Sequence, residues 1–138
     1  MSQEMPQVVT AFGYEIVRDH LLSSVLGKNE HEILYWAGKE LARKFPASSL
    51  EEVIQFFEDA SWGTLVLEKA AKDQAFYALT GSEDLLHITQ RCFRLEAGFL
   101  AQQCQQMNGF LTECSEEKQA KKNQITLHVK WDLKDPIA

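Results

Sequence analysis

The side chains of this 138-residue chain best suited to chemistry are three cysteines, four histidines and the carboxylates beside them. A cysteine acts as nucleophile or metal ligand through its thiolate, which nearby cations favour. Arg91 and Arg94 flank Cys92 and supply that setting, so a thiol-based sensor built on Cys92, Cys104 or Cys114 is one chemical reading. Glu113 beside Cys114 offers adjacency without geometry, because neighbours on a strand point to opposite faces. The cysteines form an odd set without CxxC spacing, which indicates neither a disulfide framework nor a zinc knuckle. On one helix, Cys92 and Cys104 would stand about 18 Å apart at 1.5 Å per residue, too far to bridge. The alternative is that all three are buried thiols behaving as small hydrophobes. His20, His31, His87 and His128 are scattered, and no pair has the i, i+4 spacing that aims two imidazoles at one metal. The expectation is a non-enzyme with no catalytic residue, no metal and no cofactor.

Charge narrows the partners. A net charge of -6 opposes nucleic acid, whose affinity depends on Lys and Arg displacing counterions. Lys118, Lys121, Lys122 and Lys130 are close in sequence, but Glu116 and Glu117 dilute them, and a solvated turn is the expected outcome. Met1 to Gln7 lacks the basic start and apolar run of a signal peptide, and no apolar stretch approaches the roughly 18 residues of a membrane span. A cytoplasmic location is expected.

The elements that must position these side chains are punctuated by caps and breakers. Val8 to Leu26 carries Phe12, Ile16, Leu21, Leu22, Val25 and Leu26, with Gly27 where a left-handed cap would close a first helix. Asn29 and Glu32 read as a capping box opening a second helix, Glu30 to Phe45, which stops ahead of Pro46. Ser49 and Glu52 open a third, about Leu50 to Ala60. Between Trp62 and Thr80 local propensity favours a helix through Glu68 to Ala75. Gly63, Thr64 and Val66 at one end and Phe76, Tyr77 and Thr80 at the other suit strands, with Lys72 and Asp73 as the turn, so a hairpin is expected. Ser82 is placed to cap a long helix from about Leu85 to Met107, which Asn108 and Gly109 end.

That helix is apolar on nearly every face, so it needs partners on more than one side: a sheet together with other helices, a second subunit or a ligand. Phe110 to Cys114 is a candidate strand, Ser115 to Asn123 a charged connection, and Gln124 to Leu133 a last strand. It sets Ile125, Leu127, Val129, Trp131 and Leu133 against Thr126, His128, Lys130, Asp132 and Lys134. The fold class is α+β, with an antiparallel sheet of about four strands in two hairpins covered by four main helices. Residues 1–7 are expected to be a flexible terminus and 8–134 one domain, since the length allows one ordinary core.

Three segments carry a likeness to known proteins: Ile33-Leu34-Tyr35-Trp36-Ala37-Gly38-Lys39-Glu40-Leu41, Trp62-Gly63, and Leu95-Glu96-Ala97-Gly98-Phe99-Leu100-Ala101. Asn108-Gly109, Glu113-Cys114 and the closing strand through Trp131 add to it. On these the chain resembles the four-vinyl-reductase and TRAPP (vesicle-tethering transport-particle) ligand-binding superfamily, with which the haem-binding nitric-oxide sensor domains are grouped. More narrowly, it is similar to a small uncharacterised family from Gram-positive bacteria. The resemblance implies an antiparallel sheet under helices, dimerisation through the amino-terminal helices, and an apolar pocket. Transport-particle subunits carry an acyl chain on a cysteine just ahead of the third helix, whereas Pro46-Ala47-Ser48-Ser49 offers no thiol. The glycine-cysteine pair of four-vinyl-reductase domains is replaced by Lys121-Lys122-Asn123-Gln124, and no local motif matches the axial histidine of the haem sensors.

Within that frame Trp36, Phe57, Phe93 and Leu100 are the candidate ligand-binding residues, and Phe99 belongs with them; small-molecule sites are largely apolar. Aromatics at helical spacing are more often core material. Gly38 and Gly98 either floor a cavity or mark the close approach of two helices. The first functional expectation is a homodimeric cytoplasmic module holding a hydrophobic small molecule noncovalently. The second is an interaction domain with a filled core, whose helix faces near Ile16, Leu22 and Ile33 bind another copy or another protein. Closure of the stripe Phe93, Ala97, Leu100, Cys104 by side chains separates the two.

Overall fold

The computed structural model describes residues 10–81 and 91–137. The chain opens with an amino-terminal arm made of α1 (Ala11–Glu15), a π-helical turn (Ile16–Leu21) and α2 (Leu22–Leu26). It continues through α3 (Glu30–Lys44), α4 (Leu50–Asp59), β1 (Thr64–Ala70), β2 (Gln74–Thr80), α5 (Arg94–Asn108), β3 (Phe110–Gln119) and β4 (Gln124–Pro136). The four strands form one antiparallel sheet in the order β1-β2-β4-β3, so the two hairpins meet along β2 and β4.

This is the α+β architecture the sequence predicts, with one correction. Among the described residues three regular helices of ten or more residues stand where four were expected. The first expected helix is broken. Within it the Leu22 N–H bonds to the Val17 carbonyl, an i→i+5 step that widens the turn.

The expected start of the long helix lies outside the described residues, but 91–93 are not helical and α5 begins at Arg94. The reason is competition for its groups: the Cys92 carbonyl accepts from Arg18, and the first helical bond runs from the Ala97 N–H to the Phe93 carbonyl. Asn29 makes no side-chain cap bond at α3, contrary to the capping-box expectation. Ser49 does cap α4, accepting from the Glu52 N–H at 3.3 Å. Gly109 closes α5 in the left-handed region, at φ 81°.

The hairpin between Trp62 and Thr80 is present, Thr64 pairing with Thr80 and Ala70 with Ala75. The second hairpin is longer than the sequence suggests, because the charged stretch expected to be a connection pairs as strand, Glu117 with Thr126 and Lys118 with Ile125. Ile125, Leu127 and Val129 face the core, and the alternation fades at Trp131 and Leu133. No described helix is long and apolar enough to cross a membrane.

The core lies between the sheet and α5. Phe57 of α4, Leu65, Leu79, Phe93, Phe99, Leu100, Ile125 and Leu127 are all shut away from solvent there. From Glu96 to Cys104 every residue of α5 is buried. Its neighbours on the several sides are the sheet, through β3, and α3.

Candidate functional site

α3 and α5 meet at two glycines. A Cβ on Gly38 would come within 2.1 Å of the Leu95 carbonyl oxygen, and one on Gly98 within 2.0 Å of the Tyr35 carbonyl oxygen. Each glycine therefore lies directly on the other helix's backbone, the contact that only a residue without a side chain permits. Tyr35, one turn from Gly38, stacks under the Arg94 guanidinium at 4.0 Å. Its hydroxyl donates to the Glu113 carboxylate and accepts from the Cys114 N–H at 3.0 Å. Burial, then the bond to Glu113, raises the Tyr35 pKa above the ordinary phenol value. Arg94 also bonds Glu116 at 2.9 Å, so the crossing is tied to β3 by a saturated polar clamp.

The candidate ligand residues divide into two groups. Phe57, Phe93 and Leu100 belong to one fully buried cluster, next to an aromatic nest in which Phe56 stacks on Phe99 at 4.4 Å and Trp62 meets Phe57 and Phe99 edge-on at 5.1 and 5.2 Å. Trp36 is not with them: it points outward from α3, 61 % exposed. The stripe Phe93, Ala97, Leu100, Cys104 is buried along its length.

The candidate thiols are inside. Cys92, Cys104 and Cys114 are free and buried. Burial raises the Cys92 pKa, pushes Cys104 up to about 11 despite a hydrogen bond from Tyr77, and holds Cys114 well above the ordinary thiol value. The arginines flanking Cys92 serve other partners, Arg91 bonding Asp19 and Arg94 bonding Glu116. Among the described residues no three His, Cys, Asp or Glu side chains gather as a metal site needs; His87 lies outside them. His128 stacks on Phe76 at 4.1 Å and bonds Gln74 on the outer face of the sheet; burial, then Lys130, lowers its pKa.

One feature escaped the sequence reading, and another was expected only near Ile16, Leu22 and Ile33, of which Ile16 and Ile33 do face solvent while Leu22 turns inward. The first is a buried ion pair between the arm and α5, Arg18 with Glu96 at 2.5 Å. The other is the apolar outer side of the arm, where Phe12, Ile16, Val17, Leu21 and Val25 face solvent, Phe12 at 72 % and Val25 at 71 %. The spacing Phe12, Ile16, Leu21, Val25 was a visible signal. Its central step of five residues keeps one face only if the helix widens there, as the π turn does. Tyr14, Arg18, Leu22 and Leu26 take the inner side, and Arg18 alone among residues 11–26 is buried.

A sheet of order β1-β2-β4-β3 carrying a buried helix, crossed by a second helix through paired glycines, places the chain in the α+β fold shared by three kinds of solved protein. A vinyl-4-reductase family protein from Methanocaldococcus jannaschii superposes with a TM-score of 0.60 at 16 % identity, covering 91 % of this chain and 84 % of its own. A mutant H-NOX protein from K. algicida, Fe(II) unliganded, gives 0.55 at 13 % identity over 91 % and 75 %. A trafficking protein particle complex subunit 3 from Naegleria fowleri, covalently bound to palmitic acid, gives 0.52 at 10 % identity over 93 % and 92 %. These are likenesses of fold, and they match the superfamily that the sequence resembles. The chain belongs to a family of proteins of unknown function (DUF2507), whose pattern it matches over residues 11–130. YslB, an uncharacterised protein of Bacillus subtilis (strain 168), is 44 % identical over 132 residues, 94 % of this chain and 89 % of the relative.

Proposed function

We propose that this chain is a non-enzymatic binding module whose working surface is the apolar outer face of its amino-terminal arm and of α3, and that this surface joins two copies. The observation that carries the reading is the inverted arm. A helix on a globular domain ordinarily buries its apolar stripe and exposes its charges. Here Arg18 is inside while Phe12, Ile16, Val17, Leu21 and Val25 are outside, and α3 adds Ile33 and Trp36. Those seven side chains leave on the order of 700 Å² of apolar surface in water, close to the roughly 800 Å² each partner gives to a standard interface. A second copy matches that surface in both area and chemistry. The net charge of -6 opposes the anionic headgroups of a membrane surface.

Sedimentation analysis tests this, comparing the native chain with a Leu21→Glu, Val25→Glu double variant. A dimer that the variant converts to a folded monomer is the expected result. A native chain that stays monomeric at about 100 µM, an affinity too weak for a working pair, refutes it.

A second reading is a hydrophobic small molecule held noncovalently, supported by the acyl chain that the Naegleria fowleri subunit of the same fold carries. Phe57, Phe93 and Leu100 would have to part from the aromatic nest to admit it, and Trp36 would take no part. Native mass spectrometry of freshly purified protein, repeated after organic extraction, checks this reading. An adduct present before extraction and absent after supports it; an adduct-free native mass from cell-purified protein speaks against it.

A further inference from the structure

The inner side of the arm holds to the domain by charge. Arg18 donates through Nη2 to Glu96 Oε1 at 2.5 Å and to the Cys92 carbonyl at 2.9 Å, and through Nη1 to the Tyr14 hydroxyl at 2.7 Å. One residue on, Asp19 receives both Nε and Nη2 of Arg91, at 2.6 and 2.7 Å. Glu96 is fully buried, and a carboxylate so enclosed needs a cation against it. Yet the pairing is incomplete, since Arg18 Nε and Glu96 Oε2 are both buried and both without a partner. A guanidinium free to approach side-on makes two parallel bonds to a carboxylate; Arg18, tethered to its own helix, makes one. The arm's apolar hold on the domain is slight, a half-buried Tyr14 packed against the core. It ends at Gly27, whose φ of +56° and empty surroundings suit a pivot, with the Ser23 to Glu30 bond at 2.7 Å the link across it.

We infer that Glu96 and the Cys92 carbonyl form a receptor for a guanidinium group, that Arg18 fills it in cis, and that an external guanidinium can exchange with Arg18 as the arm lifts about Gly27. The receptor lies on the arm's inner side, away from the outer apolar face, so the exchange does not depend on pairing of two copies.

Methylguanidinium, at millimolar concentrations far below those that denature, is the probe. Full-length Arg18→Ala keeps the Asp19–Arg91 lock and opens a guanidinium-sized space at Glu96. Calorimetric titration is expected to show binding to Arg18→Ala at least about tenfold tighter than to Arg18→Ala, Glu96→Gln, and the native chain is expected to exchange arm amides faster in the probe while α5 amides stay protected. Equal binding to the single and double variants overturns the receptor. Arm exchange in the native chain that the probe leaves unchanged, against a sodium control of equal ionic strength, overturns the exchange. Should Arg18→Ala fail to fold, Arg18→Lys keeps the charge and gives up the fork. Its arm is then expected to exchange about tenfold faster than the native arm with the sheet unaffected, and native-like arm exchange overturns the proposal.

Discussion

Gly38 and Gly98 both lie at the crossing of α3 and α5, each pressed on the backbone of the opposing helix, Gly38 on Leu95 and Phe99 and Gly98 on Tyr35. A Cβ at either position meets a carbonyl oxygen of the opposing helix at about 2 Å, and backbone cannot swing aside as a flexible side chain can. Gly98→Ala and Gly38→Ala are each expected to destabilise by more than about 3 kcal/mol, at the severe end for single substitutions. Gly27→Ala has open space but a positive φ, and a loss nearer 1 kcal/mol is expected. Urea unfolding of the three variants checks the order.

Breaking the Arg18–Glu96 pair by Arg18→Ala strands a fully buried carboxylate, and a cost of about 3–5 kcal/mol is expected. Replacing both partners, as Arg18→Met with Glu96→Leu, is expected to restore most of it, because no charge is then left enclosed. A double variant no more stable than the worse single one would show that the arm needs the ion pair for its position as well as for its energy.

The three thiols are expected to resist a disulfide reagent at pH 8 in the native protein and to react fully in denaturant, since each is buried with a raised pKa. Rapid native modification of Cys92, the one between arm and α5, would restore the thiol-sensor reading.

Cys104 carries a pH dependence of definite sign. Its native pKa of about 11 lies above the ordinary 9.0, so the folded state keeps a proton that the unfolded state gives up between those values. Its contribution is complete below about pH 9 and is lost as pH rises toward 11; Tyr14, Tyr35 and Tyr77, also raised by burial, extend the loss upward from about 10. Denaturation midpoints measured at pH 8, 9.5 and 10.5 should fall in that order, and Cys104→Ala should flatten the first part of the decline.

Gln103 is fully buried in α5, where it donates to the Phe45 carbonyl at 2.8 Å and accepts from the Ala47 N–H at 3.0 Å, satisfying the bend around Pro46. Gln103→Leu leaves those two backbone groups without this partner. A loss of about 1–3 kcal/mol is expected by chemical denaturation, with the same far-ultraviolet dichroism.

The elements of this fold are largely legible in sequence, because their causes are local. Ser49 with Glu52 starts α4, Pro46 ends α3, Gly109 ends α5, and the alternation from Ile125 to Val129 turns one face of β4 inward. The hairpin between Thr64 and Thr80 could be preferred over a competing helix from β-branched and aromatic residues at its ends. Local charge obscured the true length of β3, whose charged residues pair with β4, Glu116 turning in to meet Arg94 of α5.

What only the tertiary structure decided depends on residues far apart in the chain. Glu96 and Arg18 are separated by 78 positions, and no window of sequence reveals that an arginine in an apolar-looking helix turns inward to meet a buried carboxylate. That meeting inverts the arm and takes the Cys92 carbonyl out of the helix. The same applies to Trp36 and Phe57: both are aromatics at helical spacing, but α5 covers one side of α3 and leaves Trp36 on the open side, whereas α4 turns Phe57 into the core. Composition and periodicity determine which segments can bury a face; the partner that arrives from elsewhere in the chain determines which face it is.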